Sequence, residues 1–202
     1  MSSVEVIIFD LGKVILDFDH RSITRRLAER SSLPEERIQS VIFDENRESL
    51  YDRGKMSSRE FYVDVVKSLR MDLPFREFRD IWTRIFTPNK AVCNVVQTLK
   101  KRYRLMLLSN TNEMHFDYVL GAFEILNLFD DYILSYRVGE RKPHSSIYFA
   151  ALKKADCAPG SCVYIDDMEE YVWAARDLGI QAILFTSSEQ LQRELRGLDV
   201  LV

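Results

Sequence analysis

The chain has 202 residues, of which 47% are hydrophobic, and its 28 Lys and Arg residues against 31 Asp and Glu residues give a net charge of −3. This length and apolar content suffice for one domain with an insertion or for two small domains, and they exclude a disordered chain. The sequence contains no basic block that would bind nucleic acid, and no apolar run approaches the roughly 20 residues that span a bilayer.

The sequence also indicates where the protein is located and in which state its cysteines are. The N-terminal MSSVEV lacks the basic region and cleavage site of a signal peptide, so we predict a cytoplasmic protein. Cys93, Cys157 and Cys162 are odd in number and show no CxxC spacing, which favours buried free thiols over a disulfide framework or a zinc site. The three histidines have no metal-ligand spacing and are predicted to be surface or packing residues.

The first element in the chain is a short apolar run at residues 4–9 that ends at Asp10 and Gly12. Such a run is typical of a buried parallel strand that meets a turn. Ligands bind at the carboxyl ends of strands in open α/β sheets, so Asp10 is either a catalytic carboxylate or a turn or capping residue. This segment alone does not choose between the two.

The next segment is helical. Residues 18–88 carry apolar side chains at helical spacing together with many charges, which predicts amphipathic helices. We expect four of them, one over residues 21–31 and three that are opened by Pro34 at the first helical position, by Ser57 or Ser58, and by Pro74.

From Asn89 onward, helical and strand-like patterns alternate. This alternation predicts right-handed crossovers and a parallel sheet. The predicted strands in this part cover residues 105–108, 132–134, 163–165 and 182–185.

Four short motifs carry the chemistry. Asp10 ends the first apolar run, Ser109 ends LMLL, Lys142 lies in ERKP, and Asp166 and Asp167 follow VYI. Each motif is weak alone, since a strand-end serine also caps helices and a lysine is usually exposed. The four in this order resemble the signatures of the haloacid dehalogenase (HAD) superfamily, and the resemblance covers nearly the whole chain.

The resemblance implies an α/β fold with a Rossmann-like three-layer α/β/α core and a parallel sheet, formed by residues 1–17 and 89–202. Residues 18–88 then form an inserted four-helix cap. The chain is similar to the sugar-phosphatase-like and epoxide-hydrolase N-terminal-like branch of the superfamily. In that branch a cap loop faces the active site, and the segment YDRGKMS at residues 51–57 resembles it. We therefore predict that Arg53 contacts the substrate.

The same resemblance assigns roles to the motif residues. Asp10 is the nucleophile that forms an aspartyl-phosphate, and Lys142 offsets the negative charge of Asp10 and of the phosphate. Ser109 donates a hydrogen bond to the phosphoryl group, helped by the backbone N–H of Asn110.

A magnesium ion is the implied cofactor, because Mg²⁺ prefers oxygen ligands. The resemblance places it on the carboxylates of Asp10 and Asp166 and the backbone carbonyl of Gly12, with Asp167 supporting a coordinated water. Position 12 departs from the family pattern, since relatives commonly have a second Asp there that acts as general acid and base. Lys13 stands where relatives often have glycine, so turn strain falls on Lys13 or on Gly12.

The leading functional hypothesis is a Mg²⁺-dependent phosphatase that hydrolyses a small phosphorylated metabolite, such as a sugar phosphate, slowly because of Gly12. One alternative is a 2-haloacid dehalogenase, whose first signature also lacks the second Asp but which loses the paired carboxylates of the fourth. The other is a catalytically weak HAD-like binding or regulatory protein. The expected partner is a small molecule rather than nucleic acid or membrane, and the default oligomeric state is a monomer.

Overall fold

The computed structural model describes residues 3–201, which form strands and helices in alternation after a helical insertion. The strands are β1 (Val6–Phe9), β2 (Leu16–Phe18), β3 (Phe86–Pro88), β4 (Arg104–Ser109), β5 (Asp131–Leu134), β6 (Cys162–Asp166) and β7 (Gln181–Leu184). The α-helices are α1 (His20–Ala28), α2 (Glu35–Ile42), α3 (Glu45–Asp52), α4 (Ser58–Ser68), α5 (Phe75–Thr83), α6 (Lys90–Leu99), α7 (Glu113–Ala122), α8 (Ser135–Val138), α9 (Ser145–Ala155), α10 (Glu169–Arg176) and α11 (Ser188–Gly197). Two short 3₁₀ helices span Glu124–Leu128 and Pro159–Ser161.

The central sheet is parallel and has the strand order β5-β4-β1-β6-β7. Successive residues of β1 point to opposite faces: Ile7 and Phe9 join one apolar cluster with α6, α7 and α11, whereas Val6 and Ile8 join another with α9 and α10. A strand buried on both faces needs a continuous apolar run, which explains the sequence of β1. The predicted α/β fold with helices on both faces of a parallel sheet is confirmed.

The register of the sheet positions its carboxyl edge. Phe9 lies opposite Leu107 on one side and Ile165 on the other. The backbone N–H of Asp10 donates to the Ile165 carbonyl at 2.8 Å, which continues the ladder by one residue. Because parallel strands end in the same direction, this register brings Asp10 level with Asp166.

The helical insertion leaves and re-enters the core through a two-stranded antiparallel ribbon that the sequence patterns did not predict. Here β2 pairs with β3, and Leu16 lies opposite Pro88. Between residues 19 and 85, all of which the structure describes, five helices occur rather than the predicted four. The missed helix is α3, whose sequence ENRESLYD lacks an apolar stripe; it buries only Tyr51 and Asp52 and is capped by the Asp44 carboxylate, which accepts from the Arg47 N–H at 3.1 Å.

The helix starts follow capping chemistry. Ser57 caps α4 in a reciprocal capping box, because its hydroxyl accepts from the Glu60 N–H and the Glu60 carboxylate accepts from the Ser57 N–H. Pro34 is the residue before α2 rather than its first helical residue, since its backbone is extended (φ −67°, ψ 151°). The insertion has its own apolar core, which includes Ile23, Ile38, Phe61, Phe78 and Trp82.

Two further sequence predictions bear on the surface and the thiols. Among residues 3–201, no helix is long and apolar enough to cross a membrane. The cytoplasmic location stays a prediction. Of the three cysteines, only Cys162 is fully buried, whereas Cys93 and Cys157 are half-buried.

Candidate active site

The motif residues meet at the carboxyl edge of the sheet. Asp10 directly follows β1, Asp166 ends β6, and Lys142 lies in the loop between α8 and α9. All three side chains are buried. The Lys142 Nζ donates to Asp10 Oδ1 and to Asp166 Oδ2, both at 2.7 Å. One ammonium therefore bridges two carboxylates that are 156 positions apart in the sequence (166 − 10).

The electrostatics of this cluster follow from burial and mutual charge. Burial by itself lowers the pKa of Lys142, but Asp10 and Asp166 outweigh it and hold that pKa above its usual value, so the ammonium stays charged. Burial raises the pKa of Asp10; Lys142 opposes this rise, whereas Asp166 adds to it. Tyr164, which sequence reasoning missed, also donates its hydroxyl to Asp166 Oδ2.

Asp167 completes a group of three carboxylates. Ligand oxygens of Asp10, Asp166 and Asp167 lie within 4.8 Å of one another. Burial raises the pKa of Asp167, and the charge of Asp166 raises it further. Three acidic side chains face one buried lysine, so a divalent cation would relieve their repulsion, and an all-oxygen donor set suits Mg²⁺. The residues present therefore fit the magnesium ion that the sequence implied.

The turn after Asp10 contains Gly12 and Lys13, the two positions at which the sequence departs from the pattern that the resemblance implies. Lys13 itself adopts the left-handed conformation (φ 57°), and Gly12 does not, so Lys13 carries the turn strain. Its ammonium donates to the Phe18 carbonyl at 2.9 Å. The Gly12 carbonyl accepts no hydrogen bond from any described residue, which suits its predicted role as a metal ligand. A Cβ at position 12 would lie 2.8 Å from Phe18 Cε1.

The predicted phosphate-binding residues follow β4. Ser109 is buried at the end of that strand and lines a cavity together with Leu11, Gly12 and Asn110. The Asn110 side chain also bonds to the backbone of Lys142, since its Nδ2 donates to the Lys142 carbonyl at 3.0 Å and its Oδ1 accepts from the Lys142 N–H at 2.7 Å. This amide fixes the loop that carries Lys142.

Arg53 is not brought together with the other predicted residues. Its guanidinium is 3.7 Å from Glu140 and almost half exposed, and the described cavity wall does not include it. The neighbouring Asp52 lines the cavity instead; it lies 3.6 Å from Arg141 and accepts from Asn112 Nδ2 at 3.4 Å. Of this segment, the side chain of Asp52 rather than that of Arg53 faces the cavity.

The cavity has a volume of about 200 Å³ and lies between the sheet edge and the helical insertion. Gly12, Ser109 and Asn110 line its core side, whereas aromatic side chains line the side of the insertion. His20 and His115, for which the sequence predicts a surface or packing role, also line it. Sequence reasoning missed these residues because helical spacing shows which side chains are apolar but not which of them face a cavity.

Comparison with known proteins identifies the class to which this protein belongs. The sequence matches the haloacid dehalogenase-like hydrolase family over residues 7–185. The chain belongs to this family, and the resemblance seen in its four motifs is confirmed.

Individual relatives of the chain include a phosphatase. The chain is 24% identical to a D-ribitol-5-phosphate phosphatase of Bacteroides thetaiotaomicron, over 95% of this chain and 97% of that protein. It is 27% identical to a drimenol cyclase of Aspergillus calidoustus over 96% of its own length, but it spans only 36% of that longer protein. A HAD-family enzyme of B. thetaiotaomicron, solved as a complex with magnesium and inorganic phosphate, has a TM-score of 0.78 at 22% identity, over 91% of this chain and 95% of that chain.

Proposed function

We propose that this protein is a Mg²⁺-dependent phosphatase that hydrolyses a small phosphorylated metabolite through an aspartyl-phosphate. The observation that carries the proposal is the buried Asp10–Lys142–Asp166 cluster with Asp167 beside it. The phosphatase relatives and the magnesium and phosphate in a structural neighbour support the same interpretation. Asp167 disfavours dehalogenase chemistry, which has no use for a paired carboxylate.

In the first step, the Asp10 carboxylate attacks phosphorus and the ester oxygen leaves, which creates the aspartyl-phosphate. The Lys142 ammonium, 2.7 Å from Asp10, neutralises charge on the nucleophile and the phosphoryl group, and Ser109 donates its hydroxyl to a phosphoryl oxygen. In the second step, water attacks the same phosphorus and restores the Asp10 carboxylate. Bound at Asp10, Asp166, Asp167 and the Gly12 carbonyl, Mg²⁺ would supply further positive charge to the phosphoryl oxygens.

Neither step has a proton-transferring side chain at position 12. Gly12 carries none, and the Phe18 ring occupies the adjoining space. A positioned acid contributes roughly 10²- to 10⁴-fold to such reactions, so turnover of poor leaving groups is expected to be slow.

The decisive experiment is hydrolysis of p-nitrophenyl phosphate with and without Mg²⁺. We expect activity in Mg²⁺, loss of activity in excess EDTA, and loss in Asp10→Asn, because an amide does not form the acyl phosphate. Asp177→Asn is the matched control, since Asp177 is exposed at the end of α10 and the substitution is the same.

Three results would count against the proposal. Full activity in EDTA would exclude the metal, and full activity in a folded Asp10→Asn variant would move the nucleophile elsewhere. Release of halide from a 2-haloacid in EDTA, without phosphatase activity, would favour the dehalogenase alternative.

A further inference from the structure

The cavity wall on the insertion side is built from rings. Phe18 lies in β2, His20 in α1, Phe43 directly after α2, Trp82 in α5 and Phe86 in β3, and all five line the cavity. We call this set the aromatic wall. Its residues come from four different elements and the residue after a fifth, so it exists only in the folded chain.

The rings of the aromatic wall contact one another. The ring centroids of Phe18 and His20 are 4.5 Å apart, those of His20 and Phe43 are 5.0 Å apart, and those of Phe43 and Trp82 are 6.4 Å apart, all in stacked geometry. Burial lowers the pKa of His20, and the charge of Lys13 lowers it further, so His20 is a neutral ring at pH 7. The wall therefore consists of neighbouring rings, and Phe18 also lies under the Lys13 ammonium, whose Nζ is 4.6 Å from the ring centroid.

Polar atoms beside the wall already have partners in the protein. The Trp82 indole N–H faces Asn112 Oδ1 at 3.4 Å, and Asn112 Nδ2 is 3.2 Å from His115 Nδ1. The Tyr51 hydroxyl is 2.9 Å from the Ser58 hydroxyl. Hydroxyl groups of a polyol that lost their water against these rings would find no hydrogen-bond partner on Phe18, Phe43 or Phe86, which disfavours a polyol against the wall. The charged groups of the lining are those of Glu48, Asp52 and Arg141.

The size of the cavity limits the occupant. A cavity of about 150 Å³ holds a benzene molecule, whereas sites for drug-sized ligands measure about 300–1,000 Å³. The volume of about 200 Å³ suits a phosphoryl group at Ser109 with one ring against the aromatic wall.

The acidic side chains near the wall limit the charge of the occupant. Asp52 and Glu48 both line the cavity, and the charge of Glu48 raises the pKa of Asp52. A carboxylate or a second phosphate on the substrate would meet these two carboxylates, of which Arg141 on the same lining offsets one from 3.6 Å. An uncharged ring would not.

We propose that the cavity selects phosphate monoesters of alcohols that carry a single aromatic ring, in preference to polyol or sugar phosphates. This inference rests on the proposed phosphatase function for its catalytic test, but the binding preference stands on the aromatic wall alone. It replaces the sugar phosphate that we expected from the sequence with a different class of small phosphate ester.

The catalytic test compares kcat/KM for benzyl phosphate and D-ribitol 5-phosphate at saturating Mg²⁺. Both esters release a primary alkoxide, and the polyol alkoxide is the better leaving group, so a preference for benzyl phosphate reports the cavity rather than intrinsic reactivity. We expect at least about a tenfold preference for benzyl phosphate, the ratio that one buried hydrocarbon group commonly supplies. A preference for ribitol 5-phosphate would overturn the inference and leave the phosphatase proposal intact.

A pair of variants assigns that preference to the wall. Phe43→Gln places an amide among the rings, and we expect it to lower the benzyl-to-ribitol ratio at least about fivefold. Phe75→Gln makes the same change at a half-buried position in α5 outside this cavity, and we expect an unaltered ratio. Equal ratios in both variants and the parent protein would contradict the role of the wall.

A binding measurement separates the inference from catalysis. We would titrate the magnesium-loaded protein with benzylphosphonate and with methylphosphonate, neither of which is hydrolysed, by calorimetry. Binding of benzylphosphonate that is at least about tenfold tighter, with a negative heat-capacity change, supports the inference. It does so even if no ester is hydrolysed, and absence of hydrolysis would contradict only the phosphatase proposal. Equal affinities would overturn the inference.

Discussion

At the residue scale, Gly12 and Phe18 form one feature. The Phe18 ring fills the space beside Gly12, since a Cβ at position 12 would lie 2.8 Å from Phe18 Cε1. The backbone of Gly12 is not left-handed, since the positive φ of this turn lies at Lys13. A side chain at position 12 would therefore not strain φ. Restoring the acid therefore meets a steric obstacle rather than a backbone one.

This feature gives the first residue-scale prediction. We expect the double variant Gly12→Asp with Phe18→Ala to speed hydrolysis of an alkyl phosphate by at least about tenfold, because a positioned acid is worth roughly 10² to 10⁴. Turnover of p-nitrophenyl phosphate should change less, since nitrophenolate leaves without a proton. The control is Gly12→Asn with Phe18→Ala, which has the same shape but no acid. Equal gains in the two double variants would rule out proton transfer from position 12.

At the element scale, Asp52 connects the insertion to the core. It is the last residue of α3, accepts from Asn112 at the start of α7, and lies beside Arg141 in the loop before Lys142. Burial raises the pKa of Asp52 to about 6, Arg141 opposes the rise, and Glu48 adds to it. Burial therefore makes the protonated form of Asp52 the favoured one in the folded state, although the contacts with Arg141 and Asn112 favour the ionised form.

The sign of the resulting pH dependence follows from linkage. The folded-state pKa lies above the unfolded value, so the stabilisation is complete below about pH 4 and is lost as the pH rises through about 6. With about 1.4 kcal/mol for each tenfold change in proton affinity, the loss amounts to roughly 3 kcal/mol.

We expect Asp52→Asn to escape this loss, because the amide keeps the acceptor for Asn112 without ionising. Urea unfolding at pH 4.5, 6.0 and 7.5 should show the variant gaining free energy of unfolding relative to the parent protein as the pH rises. Asp72→Asn is the control, since Asp72 is exposed and forms no hydrogen bond or ion pair within residues 3–201. Parallel pH profiles for Asp52→Asn and the parent protein would show that burial of this carboxyl has no such consequence.

At the scale of the whole molecule, the carboxyl edge of the sheet concentrates negative charge inside the fold. Ligand oxygens of Asp10, Asp166 and Asp167 lie within 4.8 Å of one another, and Asp10 and Asp166 share one ammonium. The folded chain should therefore bind Mg²⁺ more tightly than the unfolded chain, because unfolding separates the three carboxylates.

We expect Mg²⁺ to raise the melting temperature, with a gain of about 2.7 kcal/mol at a concentration one hundred times the Kd. NaCl of equal ionic strength should not reproduce the shift. Asp166→Asn should remove most of it, since that substitution deletes a charged ligand from the site. An undiminished shift in a folded Asp166→Asn variant would place the ion elsewhere.

The sequence by itself determined the fold class, and the resemblance of its motifs to the HAD signatures supplied the candidate site residues. Apolar runs that end at Asp10, Ser109 and Asp166 predicted parallel strands and placed these side chains at one sheet edge, because parallel strands all end in the same direction. The structure also brings Lys142 to that edge. The helical periodicity of apolar residues did not predict α3, because that helix buries too few side chains to show an apolar stripe.

Only the tertiary structure decided what surrounds those residues. Phe18, Phe43 and Trp82 are far apart in the chain, and each reads as an ordinary core residue until the β2–β3 ribbon and the five helices bring their rings to one cavity. Tertiary contacts also decided which of these neighbours lines the cavity, since Asp52 accepts from Asn112 and Arg53 lies beside Glu140. Local patterns encode burial, whereas the partner of a buried side chain depends on contacts between residues distant in sequence.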